Sequence, residues 1–248
     1  MKNLLNTGIP AFDEMVGEVQ PGELIVIAGR PGMGKTTLAL QILAKNCLDK
    51  KCAYLSLMDD ITNSPTHIAC ILGNLKREEN EKEIWESVNE VIDSKLNNTL
   101  HLLTFDLDFL SLCVELTKIK IEKGLDYLFI DGFQQFMPDF TAKVRAIWLK
   151  ELAKALDITI FITTQMKNSR DCDRIDCTTL PYPLYEKADK VLGVYRKDYF
   201  MTIADLGKIQ RGESFLCAMK NNAGKQGAIT AYFSYDHCAF LENFPTEE

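Results

Sequence analysis

The sequence predicts an α/β protein: a mainly parallel, twisted sheet with helices on both faces and an antiparallel hairpin extension at its C-terminal end. Short apolar runs rich in β-branched residues alternate with segments of helical period through most of the chain. The first such run feeds directly into a glycine-rich phosphate-loop pattern and then a helix. The last two runs have no helix between them. They flank Asn221-Asn222-Ala223-Gly224-Lys225-Gln226-Gly227, which reads as a hairpin turn.

Strands are expected over 23–29, 52–58, 100–105, 126–131, 158–164, 190–196, 214–220 and 228–235. Helices are expected over 35–48, 61–73, 78–95, 109–123 and 142–156. In helix 142–156, Val144, Trp148, Leu152 and Ala155 share one face, and Lys143, Lys150, Glu151 and Lys154 fall elsewhere as solvated charge. Segment 78–95 is acidic and amphipathic, with Ile84, Val88 and Val91 facing inward as scaffold. The length of 248 residues suits one domain: an opening segment over 1–22, a core over 23–212 and a C-terminal hairpin over 213–248.

Composition narrows the function classes. At 46% hydrophobic and 25% charged the chain is ordinary globular protein. No apolar run approaches the roughly 20 residues that span a bilayer, and Met1-Lys2-Asn3 does not open a signal peptide. Cys47, Cys52, Cys70, Cys113, Cys172, Cys177, Cys217 and Cys238 are scattered without a C-x-x-C pair. They read as reduced core thiols of a cytoplasmic protein. The spacing of Cys172 and Cys177 is not a zinc pattern. A net charge of −7 is not the footprint of a protein that coats nucleic acid on an open surface, although a locally basic path stays open.

Residues Gly29-Arg30-Pro31-Gly32-Met33-Gly34-Lys35-Thr36 fit G-x-x-x-x-G-K-[ST]. They lie between the strand Glu23-Leu24-Ile25-Val26-Ile27-Ala28 and the helix that begins Thr37-Leu38-Ala39. Glycines let backbone N–H groups turn inward around an anion, and the helix start adds its positive dipole end. Lys35 can reach the β- and γ-phosphates, and the Thr36 hydroxyl can reach Mg²⁺. The strand Asp126-Tyr127-Leu128-Phe129-Ile130-Asp131 ends in a carboxylate, the Walker B pattern, where an acid holds Mg²⁺ beyond the strand's C-terminal end. Strand 158–164 leads into Thr163-Thr164-Gln165, and Gln165 is a candidate γ-phosphate sensor.

In order along the chain, these pieces resemble the C-terminal ATPase domain of DnaB-type replicative DNA helicases. The resemblance is carried by Thr7-Gly8-Ile9-Pro10-Ala11-Phe12-Asp13, the P-loop, Ile130-Asp131-Gly132-Phe133-Gln134-Gln135-Phe136 and Leu149-Lys150-Glu151-Leu152-Ala153-Lys154. It continues in Thr163-Thr164-Gln165, Ala188-Asp189-Lys190-Val191-Leu192-Gly193-Val194-Tyr195-Arg196 and Lys220-Asn221-Asn222-Ala223-Gly224-Lys225-Gln226-Gly227. It covers nearly the whole chain and implies a RecA-like core. It also implies a ring, usually hexameric, with ATP between neighbours and single-stranded DNA in a central channel. It would place Lys35, Thr36 and Asp131 at Mg-ATP, with Thr37 beside them. Gln165 would be the sensor, Lys220 a basic finger into the neighbour's site, and Tyr195 and Arg196 would flank the base. Lys143 and Arg145, and then Lys167, Arg170 and Arg174, are the candidate DNA contacts. Asp171, Asp173 and Asp176 interleave the second group.

Two positions depart from the family pattern. Ungapped alignment puts Met58 where the family carries a Glu that orients the attacking water. A thioether cannot take a proton, and Asp59, one place on and one methylene shorter, is the candidate replacement base. Asn222 stands where the family's finger hairpin carries an Arg. The family's N-terminal primase-binding domain is expected to be absent, because Thr7 already begins the ATPase segment. The residues therefore leave two main readings open. One is an Mg-dependent ATPase and helicase motor; the other is a catalytically weak nucleotide-binding regulatory or scaffold protein on the same fold. A small-molecule P-loop kinase ranks last, because no basic lid is evident.

Overall fold

The structure, a computed structural model, describes residues 5–57, 67–68, 70–72, 96, 98–103, 108–166, 180, 182–200 and 210–244. The apolar runs become β1 (Leu24–Gly29), β2 (Cys52–Ser56), β3 (Leu100–Leu103), β4 (Tyr127–Asp131), β5 (Thr159–Gln165), β6 (Lys190–Arg196), β7 (Glu213–Asn221), β8 (Gly227–Ser234) and β9 (Ala239–Leu241). They form one nine-stranded sheet in the order β3-β2-β4-β5-β1-β6-β7-β8-β9. From β3 across to β6 every pairing is parallel; β6–β7, β7–β8 and β8–β9 are antiparallel.

Strand alternation explains why both faces of the central sheet are covered. Ile25, Ile27, Tyr54, Phe129 and Phe161 point to one face, against Leu38, Ile42 and Leu43 of α2 (Lys35–Asn46) and Phe12 of α1 (Pro10–Val16). Leu24, Val26, Leu128, Ile130 and Ile162 point to the other face. There they meet Leu112 and Leu116 of α3 (Phe109–Lys123) and Leu149 and Leu152 of α4 (Ala142–Leu156). Each such side chain contributes about 1.5–3 kcal/mol by leaving water. Both long helices start on a polar cap. The Asp108 carboxylate accepts from Ser111 N at 2.9 Å, and the Thr141 hydroxyl accepts from Val144 N at 3.4 Å.

The buried face of α4 is rotated from the expected one. Ala146, Leu149, Leu152 and Ala153 are buried, Val144 and Trp148 are half-buried, and Ala155 is exposed. The reason is aromatic packing at the edge of the helix. Trp148 stacks on Phe109 at 4.7 Å between ring centroids and also meets Phe140 at 4.7 Å. Lys150 is not merely solvated either: its amine donates to Asp189 at 2.6 Å and to the Gly22 carbonyl at 2.7 Å. Together with the pair Lys190–Glu23 at 2.7 Å, it ties β1, β6 and α4 together at the N-terminal end of the sheet.

Among the described residues four short elements were not expected from the sequence: α1, α5 (Tyr182–Lys187), a 3-10 turn (Asp198–Phe200) and β9. All are shorter than a period-based reading resolves. Of the helices expected over 61–73 and 78–95, residues 67, 68 and 70–72 are described and are helical; the remainder lies outside the described residues. Among the described residues no helix is long and apolar enough to cross a membrane.

Candidate functional site

The site lies beyond the C-terminal ends of β1, β4 and β5. Strand β5 sits between the P-loop strand and the strand that ends in Asp131, with Gly29 in register with Gln165. This spacing brings three loops to one side of the sheet. They line a cavity of about 430 Å³ with Pro31, Gly32, Lys35, Thr36, Asp131 and Gln165. Gly34, Thr37, Gly132, Gln134, Thr163, Arg196 and Phe233 complete the wall.

Gly29 closes β1, and Arg30 to Gly34 form the turn before α2. Gly34 begins the helix at φ +90°, a left-handed conformation, and α2 has no side-chain cap. The first-turn N–H groups of α2 are thus left without the side chain that would otherwise compete with an anion. A Cβ on Gly34 would come within 2.8 Å of the Phe240 ring, which β9 carries beneath the loop. Gly34→Ala is therefore expected to weaken ATP binding by about tenfold or more. The left-handed conformation alone costs about 1–2 kcal/mol for a residue with a side chain. Titration with a fluorescent ATP analogue measures this, and unchanged affinity would mean the loop does not hold phosphate in this form.

The Lys35 amine donates to the Arg30 carbonyl at 2.9 Å. Burial holds it below the ordinary lysine value, while the Asp131 carboxylate pulls the other way. Asp131 is 2% exposed and collects hydroxyl donors. Thr36 donates to it at 2.9 Å, Thr163 at 2.5 Å and Tyr54 at 3.4 Å. Thr163 in turn accepts from Gly132 N at 2.8 Å, fixing the backbone just past the acid. A hydroxyl and a carboxylate already in contact beside a half-buried lysine form the hard-oxygen donor set that suits Mg²⁺. When bound, the ion would neutralise phosphate charge there.

Of the residues expected at nucleotide, Pro31, Gly32, Gly34, Lys35, Thr36, Thr37, Asp131, Gln165 and Arg196 line the cavity; Gly29, Arg30 and Met33 do not, and Met33 is buried. Arg196 is not presented as a free cation. Its guanidinium pairs with Asp198 at 3.2 Å, bonds the Tyr235 hydroxyl and lies 4.2 Å over the Phe233 ring. Tyr195, next along β6, is not among the cavity-lining residues and packs beside Phe215 at 6.4 Å. Adjacent strand residues face opposite ways, so the two do not flank one space.

Two basic residues are placed differently from the sequence expectation. The Lys220 amine is held within its own chain by the carbonyls of Tyr185 at 3.0 Å, Glu186 at 3.3 Å and Ala188 at 2.5 Å, at the C-terminal end of α5. Carbonyls at a helix end attract a cation through the helix dipole. Arg145, expected as a DNA contact, turns inward to the loop after β4 and bonds the carbonyls of Phe133 and Phe136. Lys143 is exposed on the first turn of α4. Met58, Asp59, Lys167, Arg170 and Arg174 lie outside the described residues.

Sequence reasoning missed Gly132, Gln134, Thr163 and Phe233 as cavity residues. Gly132, Gln134 and Thr163 stand in segments already singled out; position near the strand end was the available signal for Thr163, whereas Gly132 and Gln134 follow β4 outside the strand. Phe233 carries no local signal, because the C-terminal hairpin brings it across.

A mainly parallel sheet with a glycine-rich loop after its central strand, and an acid ending the strand two places over, defines a P-loop nucleotide-binding fold. The chain belongs to the DnaB-like helicase C-terminal domain family, whose model matches residues 5–242. It is 27% identical over 93% of its length to a probable plasmid replicative DNA helicase of Chlamydia psittaci, covering 54% of that protein. It is 25% identical over 97% of its length to the replicative DNA helicase DnaB of Buchnera aphidicola subsp. Baizongia pistaciae, covering 56% of it. The chain thus spans about half the length of these curated relatives. Its fold is similar to a solved ATPase domain, with a TM-score of 0.82 at 19% identity over 97% of this chain and 91% of that one. It is also similar to a DnaB-like replicative helicase solved for its interactions with primase, with a TM-score of 0.80 at 20% identity over 96% and 61% of the two chains. The architecture is RecA-like, as expected.

Proposed function

We propose that this chain is an Mg²⁺-dependent, ATP-binding motor domain that couples ATP hydrolysis to movement along single-stranded DNA as part of a cytoplasmic homo-oligomeric ring, six-membered by resemblance. The observation that carries the reading is the convergence of Lys35, Thr36 and Asp131 in one cavity, with Thr36 Oγ1 2.9 Å from the Asp131 carboxylate. Lys35 and the P-loop amides bind and orient the phosphates. Thr36 and Asp131 would hold the metal, and Gln165, which lines the same cavity, would sense a terminal phosphate. The likeness to replicative DNA helicases supports the same assignment.

The test is ATP turnover at saturating Mg-ATP, with and without single-stranded DNA, against Lys35→Ala as background. Turnover that rises with DNA supports a motor. Binding without turnover would favour a second reading, a nucleotide-gated scaffold. That alternative draws on Met58, on Asn222 and on the engagement of Lys220 within its own chain. A particle that stays monomeric with and without Mg-ATP would sink the ring.

Asp59 is proposed as the replacement for the missing water-orienting Glu. Asp59→Asn is then expected to lower turnover by about 10²-fold or more while leaving ATP affinity within about twofold, since positioned proton acceptors contribute at that scale. Unchanged turnover would remove Asp59 from the mechanism.

A further inference from the structure

We infer that Arg145 is a positioning residue that holds the loop Gly132–Phe136 and links the nucleotide cavity to the first turn of α4. The inference rests on the nucleotide-binding reading above.

Arg145 lies on the first turn of α4, yet its guanidinium is directed back under the loop that follows Asp131. Nη1 donates to the Phe133 carbonyl at 2.8 Å and to the Phe136 carbonyl at 2.9 Å, with the Gln134 carbonyl at 3.3 Å. The guanidinium lies 4.5 Å over the Phe133 ring, and Phe133 and Phe136 are both buried. Its Nε is buried without a hydrogen-bond partner. A half-buried guanidinium with a covered Nε serving one short loop is a costly arrangement for a surface helix, because burial disfavours the charge and charge-assisted bonds must offset it.

The same loop is anchored on its other side to the cavity. Gly132 N donates to Thr163, which donates to Asp131. The Gln134 amide donates to Thr164 Oγ1 at 3.0 Å and to the Gln165 carbonyl at 3.3 Å. Gln134 and Gln165 both line the cavity. Five residues are thus gripped from β5 on one side and from α4 on the other. A shift of Asp131 or Gln134 toward a bound phosphate is passed through the carbonyls to Arg145, and so to the helix turn that exposes Lys143. Trp148, one turn further along α4 and stacked on Phe109, is a native reporter of that turn.

The experiment uses the full chain with Trp85→Phe, so that Trp148 is the remaining tryptophan. A non-hydrolysable ATP analogue with Mg²⁺ is expected to change Trp148 emission. Arg145→Met, which keeps the apolar stem over Phe133, is expected to lose that change while affinity stays within about twofold. Its ATP turnover is expected to fall about tenfold or more, as misplacement of a reacting group does. Arg145→Lys restores a cation and is expected to recover part of both signals, which separates positioning from misfolding. Retention of the emission change and of turnover in Arg145→Met would overturn the inference while leaving the function intact. A wild-type chain that binds the analogue without any Trp148 response would also overturn it. Absence of Lys35-dependent binding would instead overturn the function proposed above, and this role with it.

Discussion

Asp131→Asn is expected to reduce Mg-ATP turnover by about 10²-fold or more, because a metal ion held at a developing phosphate charge is worth several kcal/mol of barrier. The substitution preserves shape and removes the charge. It also places an amide donor where Thr36 and Thr163 already donate, at 2.9 Å and 2.5 Å. At least one of those hydroxyls, or the amide itself, then loses its partner. The expected signature is a steep rise in the Mg²⁺ concentration needed for half-maximal turnover, with ATP affinity in the absence of metal little changed. A wild-type Mg²⁺ dependence in Asp131→Asn would remove this residue from the metal site. Thermal unfolding of the same variant checks that the loss is not one of fold.

The largest stability effect is expected at the opposite end of the sheet. Lys190 is fully buried at the start of β6, and its amine reaches both carboxylate oxygens of Glu23 at 2.7 Å. Lys190→Met keeps the apolar stem and leaves Glu23 charged, with a 12% exposed side chain and no counter-ion from β6. Breaking a buried pair from one side costs about 3–5 kcal/mol. Glu23 retains some solvent, so about 3 kcal/mol is expected, or a fall in Tm of roughly 6–12 °C for a chain of this size. The double variant Lys190→Met/Glu23→Gln should recover much of the loss, because no charge is then stranded. A double variant as unstable as the single one would show that Lys190 acts through packing and not through the pair. The Lys150–Asp189 pair lies nearby and is expected to couple to it.

These two effects fall at opposite ends of one parallel sheet, the first beyond the C-terminal end of β4 and the second at the start of β6, and that division shows what the sequence made legible. The strand–loop–helix at Gly29–Thr36 and the acid ending β4 could be read directly, because each is a local pattern whose chemistry demands specific residue types at fixed spacing. Helices α3 and α4 occupy 109–123 and 142–156 as expected, since long amphipathic periods with clear caps are the strongest local signal. The strand order was not legible. That β5 inserts between β1 and β4, and so sets the width of the cavity, depends on which apolar runs pair. The basic residues were the least legible. Lys220 and Arg145 have the composition of surface contacts, yet the Lys220 amine and the Arg145 Nη1 are engaged by carbonyls of their own chain. Nothing in their neighbours along the chain announces this.

The fold class, the phosphate loop, the acidic strand end and the family resemblance were legible along the chain, because these rest on short-range spacing and hydrophobic period. Which side chains meet in and around the cavity follows from packing alone: Thr163 and Tyr54 on Asp131, Phe233 in the cavity wall, Phe240 against Gly34, and Arg145 under the loop after β4. Those contacts join residues far apart in the chain. They form because a buried polar group must find a partner wherever the sheet and helices place one, and that partner is set by three-dimensional packing.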